Sequence, residues 1–356
     1  MKITFATTWN AKCGIAVYSR SLVAELRKKA QVEVVSLDPD AARSPIRIAN
    51  QLNEGEVAHI QHNYPFFGGM AVYRNSFRRT IVRLKRPLVV TVHELDLGDD
   101  DLLPMRIYKG WFNSHLFGGG EVDRFIVHTA DYREKLERLG IRASDIRVIP
   151  EGAPVVDPPT VSAEDAKAEL GSAGRRVLTI FGFVVRRKGY EVALDALRRL
   201  PDDVSLLVAG GCHPADRTGF YESVKARVEA MGLSNRVLIT DYLPDEQVPI
   251  VMAASDIVLA PFTDMSNSGS LLRAIAYVKP IVASDLPATR EINARRQCLT
   301  LASAGDSCDL AQKVRSLLEN EWMRTTAVSA LESYAAEFSI ARIAEETLSV
   351  YEELLD

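Results

Sequence analysis

Two consecutive α/β domains, each a parallel sheet with helices on both faces, are predicted by three features of the chain. Short β-branched runs alternate with amphipathic helical stretches from end to end, the pattern of βαβ units. The alternation breaks near Pro150, where EGAPVVDPPT is proline-rich, lacks periodicity and reads as a linker. At 356 residues the chain is long for a single domain and comfortable for two.

KITFAT opens as a strand, and GIAVYSRSLVAELRKKA follows as a helix with Ile15, Leu22, Val23 and Leu26 on one face. VEVVSL, VAHIQH, PLVVTVH, RFIVH and IRVIP are the remaining strands of the first domain, with helical segments between most of them. After the linker the second series runs RRVLTIFG (strand), GYEVALDALRRL (helix), VSLLVAGG (strand) and FYESVKARVEAMG (helix). RVLIT, DIVLAPF and PIVAS are its further strands. From about Asp306 the tail reads as helices only. The expected division is 1–155, 156–335 and a final helical segment 336–356. No low-complexity tract or short repeat interrupts it.

Composition narrows the classes of function. The chain is 47% hydrophobic and 25% charged, ordinary globular values. Its formal net charge of -4 gives no basic field for nucleic acid. Cys13, Cys212, Cys298 and Cys308 form no C-x-x-C spacing, so free thiols in a reducing compartment are expected. The N-terminus lacks the apolar core and cleavage site of a signal peptide, and no stretch approaches the roughly 20 apolar residues that span a bilayer. A cytoplasmic protein is expected, able to touch a membrane from that side.

In open α/β sheets ligands bind outside the carboxyl ends of the strands. Four such loops stand out. In TTWNAKCG, Gly14 opens a helix and permits close approach of a ligand to backbone N–H groups, although a plain turn explains the same residues. It is not a G-x-G-x-x-G fingerprint. In TVHELD, His93 ends an apolar strand, where it either contacts a sugar hydroxyl or leaving phosphate or caps the strand. In HIQH, His59 and His62 point to opposite faces of a strand and do not make a metal pair.

In FGFVVRRKGYEVAL, Arg186, Arg187 and Lys188 precede Gly189 at the start of a helix. Cations there oppose the helix dipole unless an anion joins them. A solvated basic turn is the alternative. In TDMSNSGS, small residues lead into LLRAIAYV and leave backbone N–H groups accessible, as an anion cradle or as ordinary capping. No G-x-S-x-G elbow, P-loop, H-E-x-x-H or EF-hand pattern is present.

Taken in order, GIAVYSRSL, TVHE, VIPEGAP, RRKG, DYLPDEQVPIVMAASDIVLAPF and KPIVASD resemble the retaining, nucleotide-sugar-dependent glycosyltransferases of the GT-B fold, group 1 or family 4-like, over nearly the whole chain. The resemblance implies two Rossmann-like domains facing each other across a cleft, with the last helix crossing back to the first domain. It implies a nucleoside-diphosphate sugar as donor, a glycan or lipid-linked acceptor received by the first domain, transfer of a hexose with retention, no metal and no cofactor.

Residue by residue, the resemblance puts Gly14 at the donor diphosphate and His93 on the transferring sugar. Lys188 holds the phosphates, with Arg186 or Arg187 adding charge, and Tyr242 and Leu243 receive the base. Asn267, Ser268, Gly269, Ser270 and Leu271 grip phosphate and sugar, and Glu291 lies near a frequent family glutamate. Lys188, Arg187 and His93 are the expected catalytic groups.

The sequence also departs from the family. Two glutamates eight positions apart are replaced by Met265 and Arg273, with Asp264 standing one residue before the first. The arginine expected beside Gly182 is Phe183. These departures support a second reading, a binding or regulatory protein on the same fold that has lost turnover; a nucleotide-sugar epimerase on the same fold ranks lower, because it would want more carboxylates in the cleft. SFRRTIVRLKRP is a basic helix with interleaved Phe77, Ile81, Val82 and Leu84. It either packs its apolar side on the sheet or lies on an anionic membrane that presents a lipid-linked acceptor.

Overall fold

The computed structural model describes residues 1–11, 13–38, 44–212, 216–264 and 268–356. The chain forms two compact units, Met1–Gly152 with Phe338–Asp356, and Ala153–Glu337.

The first unit is a six-stranded parallel sheet of β1 (Lys2–Thr7), β2 (Gln31–Ser36), β3 (Val57–His62), β4 (Leu88–Val92), β5 (Arg124–Val127) and β6 (Ile146–Val148), in the order β2-β1-β3-β4-β5-β6. Side chains alternate across it. Leu88, Val90 and Val92 of β4 join one core with Phe77, Phe112 and Phe117. Val89 joins the other, with Ile3, Phe5, Leu22 and Leu26. Strands covered on both faces are predominantly apolar, which is why β4 reads as a near-continuous hydrophobic run, whereas β3 buries His59, Gln61 and His62 among apolar neighbours.

The last helix, Ile340–Glu352, belongs to this unit. It lays Ile340, Ile343, Val350 and Tyr351 on the second core, beside the helix Gly14–Leu26. Gly152 allows the close approach. At φ 80° a Cβ there would meet Ile343 Cγ1 at 2.6 Å. The Tyr351 hydroxyl reaches the buried His59 Nδ1 at 2.5 Å.

His59 and His62 lie on opposite faces of β3, as strand alternation dictates. The His62 ring sits among Tyr64, Phe67, Phe77 and Phe117. Burial draws both imidazoles down to about 3, so both are neutral near pH 7.

The second unit is a second six-stranded parallel sheet: β7 (Arg176–Phe181), β8 (Val204–Ala209), β9 (Val237–Ile239), β10 (Ile257–Ala260), β11 (Ile281–Ser284) and β12 (Thr300–Ala302). Its order is β12-β11-β10-β7-β8-β9. The three-residue β12 has no counterpart among the strands read from sequence. It is too short to show a period, and its pairing with β11 defines it. Strand order reverses between β1 and β3 in the first sheet and between β7 and β10 in the second. The loops after β1 and after β7 therefore sit at topological switch points.

One departure from the sequence reading concerns extent. The basic helix read over 76–86 is helical only at Phe77–Ile81. Phe77 and Ile81 are buried in the core, whereas Val82 is exposed.

Replacing Tyr351 by Phe leaves His59 Nδ1 without its partner inside a closed core. A loss of about 1–3 kcal/mol is expected, read as earlier hydrogen exchange of the β1 and β3 amides, with those of β7 and β8 unchanged.

Candidate functional site

In the second unit, the chain after β7 turns through Gly182 at φ 95° into a short 3-10 turn, Arg186–Lys188, and enters the helix Tyr190–Leu197 through Gly189 at φ 70°. Backbone contacts hold this loop on both sides. Gly182 and Val184 donate to Ala209 and Gly211 at the end of β8, each at 2.9 Å, and Thr263, beyond β10, donates to Arg187 O at 2.9 Å. A Cβ on Gly189 would lie 1.8 Å from Pro261 O, so only glycine fits.

The loop turns Lys188 inward. Its side chain is 4% exposed, and its ammonium donates to Phe181 O and, at 3.2 Å, to Ser270 Oγ. Among the described residues no carboxylate pairs with it. Burial, then the neighbouring Arg187, lowers the amine to about 7. Ser268 caps the helix Gly269–Ala276, accepting from Leu271 N at 3.4 Å, and its hydroxyl lies 3.0 Å from that of Ser270. A buried cation, two hydroxyls and the N-terminus of a helix thus converge at one switch point, an arrangement suited to an anion. The place of a Cβ on Gly269 is open, with no atom within 4 Å.

The other positions named from sequence are placed as follows. Arg187 is exposed beside Lys188, whereas Arg186 stacks over the Phe220 ring at 4.8 Å and lies 3.7 Å from Glu191. Phe183 and Tyr242 form a tilted ring pair at 6.5 Å, and Leu243 packs with Phe181 on a small core. Arg273 donates to Asp245 Oδ1 at 2.7 Å, with its guanidinium 5.6 Å from the Phe181 ring. Leu271 is buried, and Asp264 is exposed. Glu291 accepts from Arg295 at 2.8 Å one helical turn away. Asn267 and Met265 lie outside the described residues.

In the first unit, the loop after β1 is tied to Asp38. Its carboxylate accepts from Thr8 Oγ1 at 2.7 Å, Trp9 N at 3.0 Å and Asn10 N at 3.1 Å. Burial alone would raise this acid, but donors from Thr8, Ser36, Asn10 and Trp9 hold it at about 2. Gly14 starts the following helix. Its φ is not positive, and a Cβ there would meet no atom within 4 Å, so neither backbone nor packing requires glycine.

His93 follows β4. Its Nε2 lies 2.6 Å from Gln61 Oε1, and Gln61 Nε2 lies 3.0 Å from His59 Nε2, which also meets Thr91 Oγ1 at 2.7 Å. With Gln61 donating to His59 Nε2, His59 carries its proton on Nδ1 and donates it to Tyr351. His93 carries its proton on Nε2, which leaves Nδ1 as an acceptor. The His93 ring is 5.0 Å from that of His128, and both contact Tyr18, at 5.6 and 5.5 Å. Burial, then His128, draws His93 well below its ordinary value. Burial pushes the nearby Glu151 up to about 7.

Gln61, Asp38, Glu151 and Asp245 were not singled out from sequence. Gln61 alone left a signal there, since it shares a strand face with His59 two residues away.

Comparison with known proteins gives this geometry a context. The description "Glycosyltransferase Family 4" matches residues 13–155, and "Glycosyl transferases group 1" matches residues 175–320. The alpha-maltose-1-phosphate synthase of Mycolicibacterium smegmatis is 25% identical, with 95% of each chain covered. The phosphatidyl-myo-inositol mannosyltransferase of Mycobacterium leprae is 30% identical over 65% of this chain and 59% of its own. The structure of Anabaena Alr3699/HepE with UDP and glucose superimposes with a TM-score of 0.81 at 19% identity, covering 99% of this chain and 100% of that one. Two parallel-sheet units carrying both matches, and relatives that transfer sugars, lead to one conclusion: the chain is a glycosyltransferase of the GT-B fold.

Proposed function

We propose that this glycosyltransferase moves a hexosyl group from a nucleoside-diphosphate sugar to a glycan or lipid-linked acceptor, with retention and without a metal or further cofactor. One observation carries the reading: a buried ammonium, Lys188, lacks a carboxylate partner among the described residues and lies beside the helix start at Ser268 and Ser270. A diphosphate supplies the missing charge. The Anabaena protein was solved with UDP and glucose, which supports this class of donor.

In this reading Lys188, Arg187 and the N–H groups of Gly269 and Ser270, with Leu271 at the same helix start, stabilise charge as the bond from the anomeric carbon to the diphosphate oxygen breaks. Such preorganised donors commonly supply the largest catalytic term. The acceptor oxygen attacks from the face the diphosphate leaves, and its proton departs with the diphosphate. Phe183 and Tyr242 receive the base with Leu243. Asn267 and Asp264 contact the sugar, and Gly14 opens backbone N–H groups to the phosphates. His93, with Nδ1 as an acceptor, takes a hydrogen bond from a sugar hydroxyl. Arg273 and Asp245 form one unit, which returns a carboxylate to the region where the family's second glutamate is replaced by arginine. The four free cysteines support a cytoplasmic setting.

Calorimetric titration with a panel of nucleoside diphosphates and their sugars tests the reading. Binding of none of them would overturn it. Lys188→Ala is expected to lower transfer at saturating donor by roughly 10²–10³-fold without loss of stability, since it removes a buried charge.

The pH dependence of binding follows from the lowered amine. Near pH 7 the free enzyme holds Lys188 partly neutral, and a bound diphosphate favours the ammonium, so binding takes up a proton. Donor affinity is expected to fall as pH rises through about 7, and the calorimetric enthalpy is expected to change with the ionisation enthalpy of the buffer.

Arg273→Ala and Asp245→Asn are expected to weaken nucleotide binding by similar factors, and the double variant by little more than either alone. A helix-surface arginine would instead leave binding unchanged and alter stability by less than about 0.5 kcal/mol.

A further inference from the structure

The helix Leu103–Phe117 is apolar on two sides. One side, Phe112, Leu116 and Phe117, is buried in the core of the first unit. The other carries Leu103, Ile107 and Trp111 at four-residue spacing, 67%, 62% and 54% exposed, with Leu102 at 84% just before them. Side chains four apart share a face, so these form one continuous apolar stripe about 12 Å long. Scattered exposed apolar residues need no explanation, but a contiguous patch with a charged rim marks an interaction surface.

The rim here is basic. Arg79, Arg83, Lys85 and Arg86 are exposed, and among the described residues none of them forms an ion pair. Arg74 lies over the ring of exposed Tyr73 at 5.4 Å. Of the nearby acids, Asp99 pairs with Arg138 and Glu121 with Arg78, while Asp96 and Asp101 share Lys109. Glu94 and Asp100 remain as exposed acids. This concentration of positive charge stands on a chain whose net charge is -4.

A cavity of about 300 Å³ opens between the two features. Val72, Val82, Phe112 and Leu116 give it apolar walls, Arg79 and Arg83 give it cations, and Arg78, paired with Glu121, and His115 complete its lining. Trp111 stacks on His115 at 5.9 Å, so the cavity mouth and the apolar stripe adjoin. A pocket with apolar walls and two arginines unpaired among the described residues, Arg79 and Arg83, beside an apolar ridge matches the chemistry of one occupant: a phosphate headgroup continued by hydrocarbon.

We infer that the first unit docks on the anionic face of a lipid bilayer, with Leu103, Ile107 and Trp111 entering the headgroup region and one anionic lipid held in the cavity by Arg79 and Arg83. This differs from docking through the basic segment alone, because Phe77 and Ile81 of that segment are buried in the core and the main hydrophobic contribution comes from the neighbouring helix. The inference deepens the proposal of a lipid-linked acceptor and rests on it only for what the docking serves.

The test is co-sedimentation of the full chain with vesicles of phosphatidylcholine alone and of phosphatidylcholine mixed with phosphatidylglycerol, at low and high salt. Binding to the mixed vesicles, weak binding to the neutral ones and loss at high salt are expected. Arg79→Glu with Arg83→Glu, and separately Ile107→Asp with Trp111→Ser, are each expected to lower partitioning at least about tenfold. All four residues are exposed or at the cavity rim, so both variants are expected to fold.

Three results would overturn the inference. These are no binding to mixed vesicles at low salt, binding unaffected by both double variants, and self-association without lipid that Ile107→Asp abolishes, which would make the stripe a contact between copies. Nucleotide calorimetry on the same variants reads the donor proposal separately. Lost vesicle binding with donor affinity intact, or the reverse, shows which of the two proposals fails.

Discussion

The second unit is arranged around a cost. A buried ammonium loses its hydration, and here no carboxylate restores what is lost among the described residues. Its two acceptors, a carbonyl and a serine hydroxyl, offset the loss only in part, and the lowered amine is the visible result. The surrounding loop geometry follows from keeping Lys188 there. Gly182 has no Cβ because one would lie 2.6 Å from the ammonium, and Gly189 takes a left-handed conformation against Pro261 O. A buried amine of lowered pKa at a switch point is the feature on which the proposed donor site rests.

The first unit has the opposite character. His59, His62 and His93 are held neutral by burial, in a mesh of rings and one glutamine. Gln61 relays orientation from the last helix, through Tyr351 and His59, to His93 at the strand end. The first unit therefore offers hydrogen-bond acceptors and rings where the second offers positive charge.

Much of this was legible before any coordinates. Parallel sheets covered on both faces demand apolar runs, and apolar runs separated by amphipathic helices are what the chain displays. RRKG and the serine-rich loop pointed to an anion because cations and small residues at helix starts are costly or excessive without one. The misses share a physical cause. Asp38, Asp245 and Glu151 act through partners or burial that no local period encodes, and Tyr351 reaches His59 across 292 residues of sequence. The segment 76–86 was read as one amphipathic helix, but only Phe77–Ile81 is helical, with Phe77 and Ile81 in the core and Val82 exposed.

The sequence by itself determined the two-unit α/β architecture, the strand-end position of each reactive loop and the residue types available for an anion, because these depend on local periodicity and on charge beside helix starts. The tertiary structure decided which charges remain uncompensated. Arg273 is joined to Asp245 and Arg78 to Glu121, whereas among the described residues Lys188 meets only neutral acceptors. Pairing depends on which loops the sheet order brings side by side, and hydrogen bonds and ion pairs act over a few ångströms of space that sequence distance does not measure.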